Sequence, residues 1–177
     1  MTHNRKFNIK HPTLLFCSLT FFLLHFTFNY SWAADDIITR QTIRGLKAVY
    51  VIVEDIQPNI QKYANKAGIT KTQIQKDVEA KLKANGLKAL DKDEWLKTPG
   101  KPVLYVNVNT HETEKYWYAY NFELGLKQVV YLEANPSIKT LATTWSINIT
   151  GTANIGTLGN IKKAVDMLTE RFVNASK

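Results

Sequence analysis

The chain has 177 residues, of which 23 are Lys or Arg, 15 are Asp or Glu, and one is Cys. This length suits a single domain with a sizeable hydrophobic core. A lone cysteine excludes an internal disulfide and a metal site built on paired cysteines. Because the basic excess is modest and spread along helical stretches, we expect no nucleic-acid partner.

The first 33 residues have the pattern of a secretory signal peptide. Arg5, Lys6 and Lys10 precede an apolar run over residues 14–30, and residues 31–33 (Ser-Trp-Ala) offer small side chains at the two positions that a signal peptidase reads. We therefore predict a signal peptide over residues 1–33 and one exported domain over residues 34–177, periplasmic or secreted. An uncleaved leader that remains as a membrane anchor is the alternative.

Removal of this leader would change the chemistry available to the domain. The leader holds three of the basic residues and no acidic one, so the remaining chain has a net charge of +5. Cys17 is removed with it, as are all the histidines except His111. We expect a domain without thiols, held together by core packing alone, with no stable membrane insertion after cleavage.

The N-terminal half of this domain predicts a strand followed by a helix. Residues 35–44 are polar and predict only a frayed lead-in. In residues 46–56, β-branched side chains occur at both even and odd positions, so both faces of the segment are apolar. This pattern predicts a strand in the interior of the sheet. Thr70 is a good N-cap and Gly86 a good C′ residue, so we predict a helix over residues 71–85. A brief edge strand (87–90) and a short helix (91–97) follow.

The most regular pattern of the chain is an alternation over residues 116–133. Even positions carry Tyr116, Tyr118, Tyr120, Phe122, Leu124 and Leu126, whereas odd positions carry Trp117, Ala119, Asn121, Glu123, Gly125 and Lys127. Successive side chains of a strand point to opposite faces, so this pattern predicts one apolar and one mostly polar face. We predict a long antiparallel strand bent at Gly125. Two strands separated by a break near Gly125 are the alternative.

Two more segments alternate, and a helix ends the chain. Residues 103–109 and 141–149 predict strands, with turns at 110–115 and 135–137. Leu158, Ile161, Val165, Leu168 and Phe172 fall on one side of a final helix. The resulting fold class is α+β, with a single, mostly antiparallel sheet of four to five strands and two main helices packed on one face.

The sheet face without helices is the best candidate for function. By parity it presents aromatic, amide and hydroxyl side chains, and we predict a ligand-binding set of Tyr105, Asn107, Trp117, Asn121, Thr144 and Ser146. Such a face suits a glycan or an envelope protein. We therefore predict a non-enzymatic binding or interaction module. A plain solvated sheet face remains the structural alternative.

Motifs for catalysis are missing from the sequence. There is no phosphate-binding glycine loop, no G-x-S-x-G elbow and no H-E-x-x-H pair, so we predict no catalytic residue, metal or cofactor. His111 has Glu112 and Glu114 nearby but lacks further zinc ligands. A small hydrolase in which His111 works with a serine or an acidic partner is the alternative function, and a structural subunit of an envelope assembly is a third.

Three segments carry a resemblance to known proteins. They are residues 102–108 (PVLYVNV), 142–146 (ATTWS) and 171–174 (RFVN). The chain resembles a group of small exported bacterial proteins of unassigned function. Its order of strands and helices is also similar to the anticodon-binding-domain-like modules of envelope lipoproteins, such as the curli secretion protein and penicillin-binding-protein activators. The resemblance implies an envelope location and supplies no catalytic residues.

Overall fold

The computed structural model describes residues 35–177, so the predicted signal peptide and its cleavage site lie outside the described residues. The elements in chain order are α1 (Ile37–Arg40), β1 (Ala48–Val53), α2 (Pro58–Ala64), α3 (Lys71–Ala84), β2 (Lys88–Ala89), α4 (Lys92–Lys97), β3 (Val103–Glu114), β4 (Trp117–Leu132), β5 (Asn135–Asn154) and α5 (Gly159–Ala175). None of the described helices is both long enough and apolar enough to cross a membrane.

The strands form one mixed sheet in the order β2-β1-β3-β4-β5. β1 runs parallel to both β2 and β3, and the β3–β4 and β4–β5 pairs are antiparallel. The α+β class is confirmed, but the expectation of a mostly antiparallel sheet is wrong. The reason is that the chain returns across the sheet through α2 and α3 before β2, and through α4 before β3, and such crossovers yield parallel neighbours.

The alternation in β4 is confirmed by burial. The even positions from Tyr118 to Leu126 are all buried, with Phe122, Leu124 and Leu126 fully so, whereas Ala119, Asn121 and Glu123 are half-exposed. The strand is continuous through Gly125, so the alternative of two strands with a break there is wrong. The irregularity lies one step later, where Leu126 pairs with Trp145 and Lys127 pairs with Thr143. Thr144 is therefore the extra residue of a β-bulge.

This bulge corrects the predicted parity of β5. The alternation predicts Thr143 on the apolar face beside Trp145. Instead, a Cβ atom placed on Gly125 would lie 3.8 Å from both the Cγ2 atom of Thr143 and the Cβ atom of Ser146, so Thr143 lies on the polar face. The strand also starts earlier than predicted, because residues 135–137 belong to β5 rather than to a turn. Likewise, β3 continues to Glu114.

The two long helices cover the apolar face of the sheet. Ile74, Val78 and Leu82 of α3 join the same core as the buried stripe of α5. The predicted caps of α3 are present: Thr70 Oγ1 accepts a hydrogen bond from the Gln73 amide at 3.1 Å, and Gly86 has a positive φ of 82°. The two helices are linked by ion pairs between Lys81 and Asp166 (2.8 Å) and between Lys162 and Asp77 (3.0 Å).

The segment before β1 is ordered by a buried carboxylate. Asp35, with its side chain only 4% exposed, accepts hydrogen bonds from Trp145 Nε1 at 2.8 Å and from Arg40 Nε at 2.7 Å. Arg171 Nη2 lies 3.3 Å from the same carboxylate. The hydrogen bond from Arg40, followed by that from Trp145, lowers the pKa of Asp35 against the opposing effect of burial. The predicted frayed lead-in is therefore wrong.

We predict that Asp35→Asn destabilises the domain by about 2 kcal/mol at neutral pH, because it weakens charge-assisted hydrogen bonds to three side chains. A lowered folded-state pKa gives stability that is present above the unfolded value of about 4 and is lost as the pH falls through the folded value. The variant should therefore lose less stability between neutral pH and acid. Urea unfolding followed by tryptophan fluorescence at several pH values measures both effects.

The matched control is Asp55→Asn, which removes the same charge from an exposed pair between Asp55 and Lys71. It should change stability by less than about 0.5 kcal/mol. Equal effects of the two substitutions would contradict a specific role for Asp35.

Gly151 of β5 is required by the tyrosine that faces it. Gly151 pairs with Tyr120, and a Cβ atom there would lie 2.6 Å from the hydroxyl oxygen of Tyr120, which is only 8% exposed. We predict that Gly151→Ala destabilises the domain by about 1–3 kcal/mol, since the buried ring must shift. Gly159→Ala, with no atom within 4 Å of the added carbon, should be neutral or stabilising. Thermal unfolding compares them, and equal midpoints would contradict this packing.

Candidate binding face

The sheet surface opposite α3 and α5, called here the open face, is built of cross-strand rows. The rows run from β3 through β4 to β5 and consist of Tyr105–Gly125–Ser146, Asn107–Glu123–Asn148, Asn109–Asn121–Thr150 and His111–Ala119–Thr152. Four of the six predicted site residues (Tyr105, Asn107, Asn121 and Ser146) therefore lie in three adjacent rows. Neighbouring rows on one face are about 6.7 Å apart along the strands, and neighbouring strands about 4.8 Å apart.

Tyr105 is held at the start of this face by two charged side chains. Its hydroxyl donates a hydrogen bond to Glu54 Oε1, and Lys127 Nζ lies 4.0 Å from the centroid of its ring. Burial, followed by the hydrogen bond to Glu54, raises the pKa of Tyr105 to about 12. Because the ammonium group occupies one side of the ring, Tyr105 borders the site and is a poor platform for stacking.

The centre of the face holds four neutral polar side chains around Glu123, called here the amide patch: Asn107, Asn121, Ser146 and Asn148. Within residues 35–177, the side chains of Asn107, Ser146 and Asn148 make no hydrogen bond. Asn121 Nδ2 donates to Thr150 Oγ1 at 3.0 Å, which orients that amide and leaves its carbonyl oxygen as an acceptor. The patch thus offers several donors and acceptors on a rigid, hydrogen-bonded sheet.

Besides Tyr105, two predicted site residues lie outside this patch. Trp117, 47% exposed, is four residues before Asn121 on β4, about 13 Å along the strand. Thr144 is the bulge residue: its hydroxyl donates to the Leu126 carbonyl at 3.4 Å, and its carbonyl accepts from Thr42 Oγ1 at 3.3 Å. Its polar groups serve the bulge, which breaks the alternation that placed it beside Ser146.

A short helix covers one corner of the open face. The ring of Trp95 in α4 stacks on Tyr50 of β1, with ring centroids 5.4 Å apart and an interplanar angle of 29°. Next to them, Val103 is only 3% exposed. The sequence places Trp95 on a helix, but its contact with the sheet depends on the crossover between β2 and β3, which no local pattern indicates. The exposed part of the face therefore begins at Tyr105.

His111 lies on β3 rather than in a turn, and it is exposed. Its paired residue on β4 is Ala119, which in turn pairs with Thr152 on β5. No serine or carboxylate in the described part of the chain hydrogen-bonds to it. The described residues also contain no group of three or more His, Cys, Asp or Glu side chains that could hold a metal ion.

Comparisons with known proteins give distant structural similarities alone. No family model matches the sequence, and no curated protein matches it. The structure is similar to the crystal structure of a minor lipoprotein from Acinetobacter baumannii, with 9% sequence identity and a TM-score of 0.34 over 74% of this chain and 90% of that chain. Function must therefore be argued from the residues of the chain itself.

The environment of Tyr105 gives a prediction at high pH. A raised folded-state pKa gives stability that is complete below about pH 10 and is lost as the pH rises toward about 12. The difference in phenolate absorbance between the wild type and Tyr105→Phe should show one ionisation near pH 12. With Glu54→Gln, this step should move to lower pH, because the charged acceptor is removed. A step near pH 10 in the wild type would contradict the arrangement.

Proposed function

We propose that the protein is an exported, non-enzymatic binding module of the cell envelope, periplasmic or secreted, whose amide patch contacts a partner rich in hydroxyl or amide groups. The observation that carries this proposal is a set of side chains that make no hydrogen bond within residues 35–177, Asn107, Ser146 and Asn148, on adjacent rows of a rigid sheet. A partner replaces the water on these groups at little entropic cost, because the backbone beneath them is already ordered.

The chemistry of the patch favours an uncharged polar ligand. Asparagine offers two donors and an acceptor, which suits the neighbouring hydroxyls of a sugar. Glu123 lies in the middle row of the patch, between Asn107 and Asn148, where its carboxylate adds an acceptor for hydroxyl groups, and Lys127 at the border of the patch offsets its charge. We therefore place an envelope glycan first. A protein of the envelope is the second candidate, supported by the exposed Trp117 at the end of the same face, since tryptophan is enriched at protein interfaces.

The hydrolase alternative through His111 lacks an assembled site in the described residues and stays a prediction. Catalysis of that kind requires a base within hydrogen-bond distance of a nucleophile, and no serine hydroxyl among residues 35–177 is hydrogen-bonded to His111. A test for ester or amide hydrolysis by the wild type and by His111→Ala separates the two functions: only an activity lost in the variant would favour the enzyme.

The binding proposal is tested with the pair Asn107→Ala and Asn148→Ala combined in one protein. The probe is a set of soluble oligosaccharides released from purified cell-wall glycan, titrated by calorimetry and by amide NMR. Two lost hydrogen bonds of about 1 kcal/mol each should weaken binding at least tenfold. The shifted resonances of the wild type should belong to the central segments of β3, β4 and β5.

The matched control combines Asn160→Ala and Asn174→Ala, two exposed asparagines of α5 on the other side of the sheet. Its affinity should stay within twofold of the wild type. A wild type that binds no glycan, or binds it with no shift on the open face, would overturn the glycan assignment. Equal losses in both double variants would overturn the role of the patch.

A further inference from the structure

A groove lies between α3 and the edge strand β2, away from the open face. Its volume is about 640 Å³, within the range of ligand sites in proteins. The helix side is formed by Lys76, Glu79, Ala80 and Lys83, and the strand side includes Leu87 and Ala89. The last three of these residues lie three, four and seven positions after Lys76, so the four form one face of α3 beside its buried stripe.

The strand side of the groove presents unused backbone groups. Lys88 donates its amide to the Lys47 carbonyl at 2.9 Å, and Leu90 donates to the Val49 carbonyl at 2.8 Å. In a parallel ladder, alternate residues turn their amide and carbonyl toward opposite neighbours. The amide and carbonyl of Ala89, between these two, therefore point away from β1. In the described residues, β2 has no strand on that side.

The dimensions suit a short extended chain. The helix residues that line the groove extend from Lys76 to Lys83, about 10 Å at 1.5 Å per residue. At about 3.3 Å per residue, that length accommodates about three residues of a strand. Ala80 and Ala89 have short side chains on the facing walls, which leaves room between the helix and the sheet edge for a peptide backbone.

The charge of the groove selects among such chains. Lys76 and Lys83 make no ion pair in the described part of the chain, whereas Lys88 pairs with Glu94 outside the groove wall. Glu79, the one carboxylate of the wall, accepts a hydrogen bond from Gln75. The two unpaired ammonium groups lie seven residues apart, two turns of the same helix, and thus one above the other along the groove.

From these observations we propose that the α3–β2 groove binds an extended, acidic peptide segment of a partner protein. The segment adds as a further strand outside β2, with its backbone hydrogen-bonded to Ala89. Its acidic side chains, on alternate residues, face Lys76 and Lys83. This is recognition by strand addition, in which main-chain bonds give affinity and side-chain contacts give selectivity. It is independent of ligand binding at the open face.

The test uses a fluorescein-labelled heptapeptide of alternating Glu and Val, with alternating Lys and Val as the control peptide. Fluorescence anisotropy should show binding of the acidic peptide alone, weakened by salt. Lys76→Glu combined with Lys83→Glu should weaken binding at least tenfold. The matched control, Lys163→Glu with Lys177→Glu, changes the net charge equally at exposed positions outside the groove and should stay within twofold.

A second variant tests the backbone contact. Ala89→Pro removes the amide that faces the groove without removing a bond to β1, so it should also weaken the acidic peptide at least tenfold. If this variant does not fold, the lysine pair decides the outcome. Unchanged binding in the Lys76→Glu and Lys83→Glu variant would overturn the proposal, as would a wild type that does not bind the peptide.

Two further arms distinguish peptide binding in the groove from membrane binding and from peptide binding at the open face. Vesicles containing phosphatidylglycerol serve as an anionic membrane surface. If the substitutions of Lys76 and Lys83 weaken binding to the vesicles but not binding to the peptide, the groove is a membrane contact and the peptide proposal is overturned. The Asn107→Ala and Asn148→Ala double variant should bind the peptide like the wild type. A loss of peptide binding in that variant would place the peptide on the open face and also overturn the groove.

Discussion

The interior position of β4 in the sheet is the constraint on which the structure depends, because this strand is hydrogen-bonded on both sides and alternates between apolar and polar residues. Because side chains of a strand repeat with period two, a shift of one residue would expose Phe122 and Leu124 and bury Asn121 and Glu123. Burial of the even positions against α3 and α5 fixes the register with β3 and β5. The same register arranges the polar positions of three strands into rows.

The two proposed binding surfaces result from this register and from the crossovers around it. The open face is rigid because each of its rows lies on three hydrogen-bonded strands. The α3–β2 groove exists because β2 has only two residues and α3 leads directly into it, so an edge amide and a lysine-bearing helix face lie side by side. The open face is on the opposite side of the sheet from the core, whereas the groove lies at the edge of the core, where Leu87 forms part of its wall.

The sequence predicted well the features that depend on local periodicity. The alternation of β4, the interior position of β1 and the caps of α3 at Thr70 and Gly86 are all present. Long-range features were missed for physical reasons. Nothing in the sequence around Asp35 indicates that its carboxylate accepts a hydrogen bond from Trp145, which is 110 residues away. The β-bulge at Thr144 adds one unpaired residue to β5, and nothing in the composition of the strand indicates it. It nevertheless turns the side chains of the residues just before Thr144 to the opposite face of the sheet.

The most direct test of the β4 register is a cysteine scan along this strand in a Cys17→Ser background. Single cysteines are placed at each position from 118 to 125, and the folded protein is then treated with a thiol reagent. We expect a period of two: fast reaction at Asn121 and Glu123, and protection at Phe122 and Leu124 until the protein is unfolded. Equal reactivity at neighbouring positions, or the opposite alternation, would contradict the register and the open face built on it.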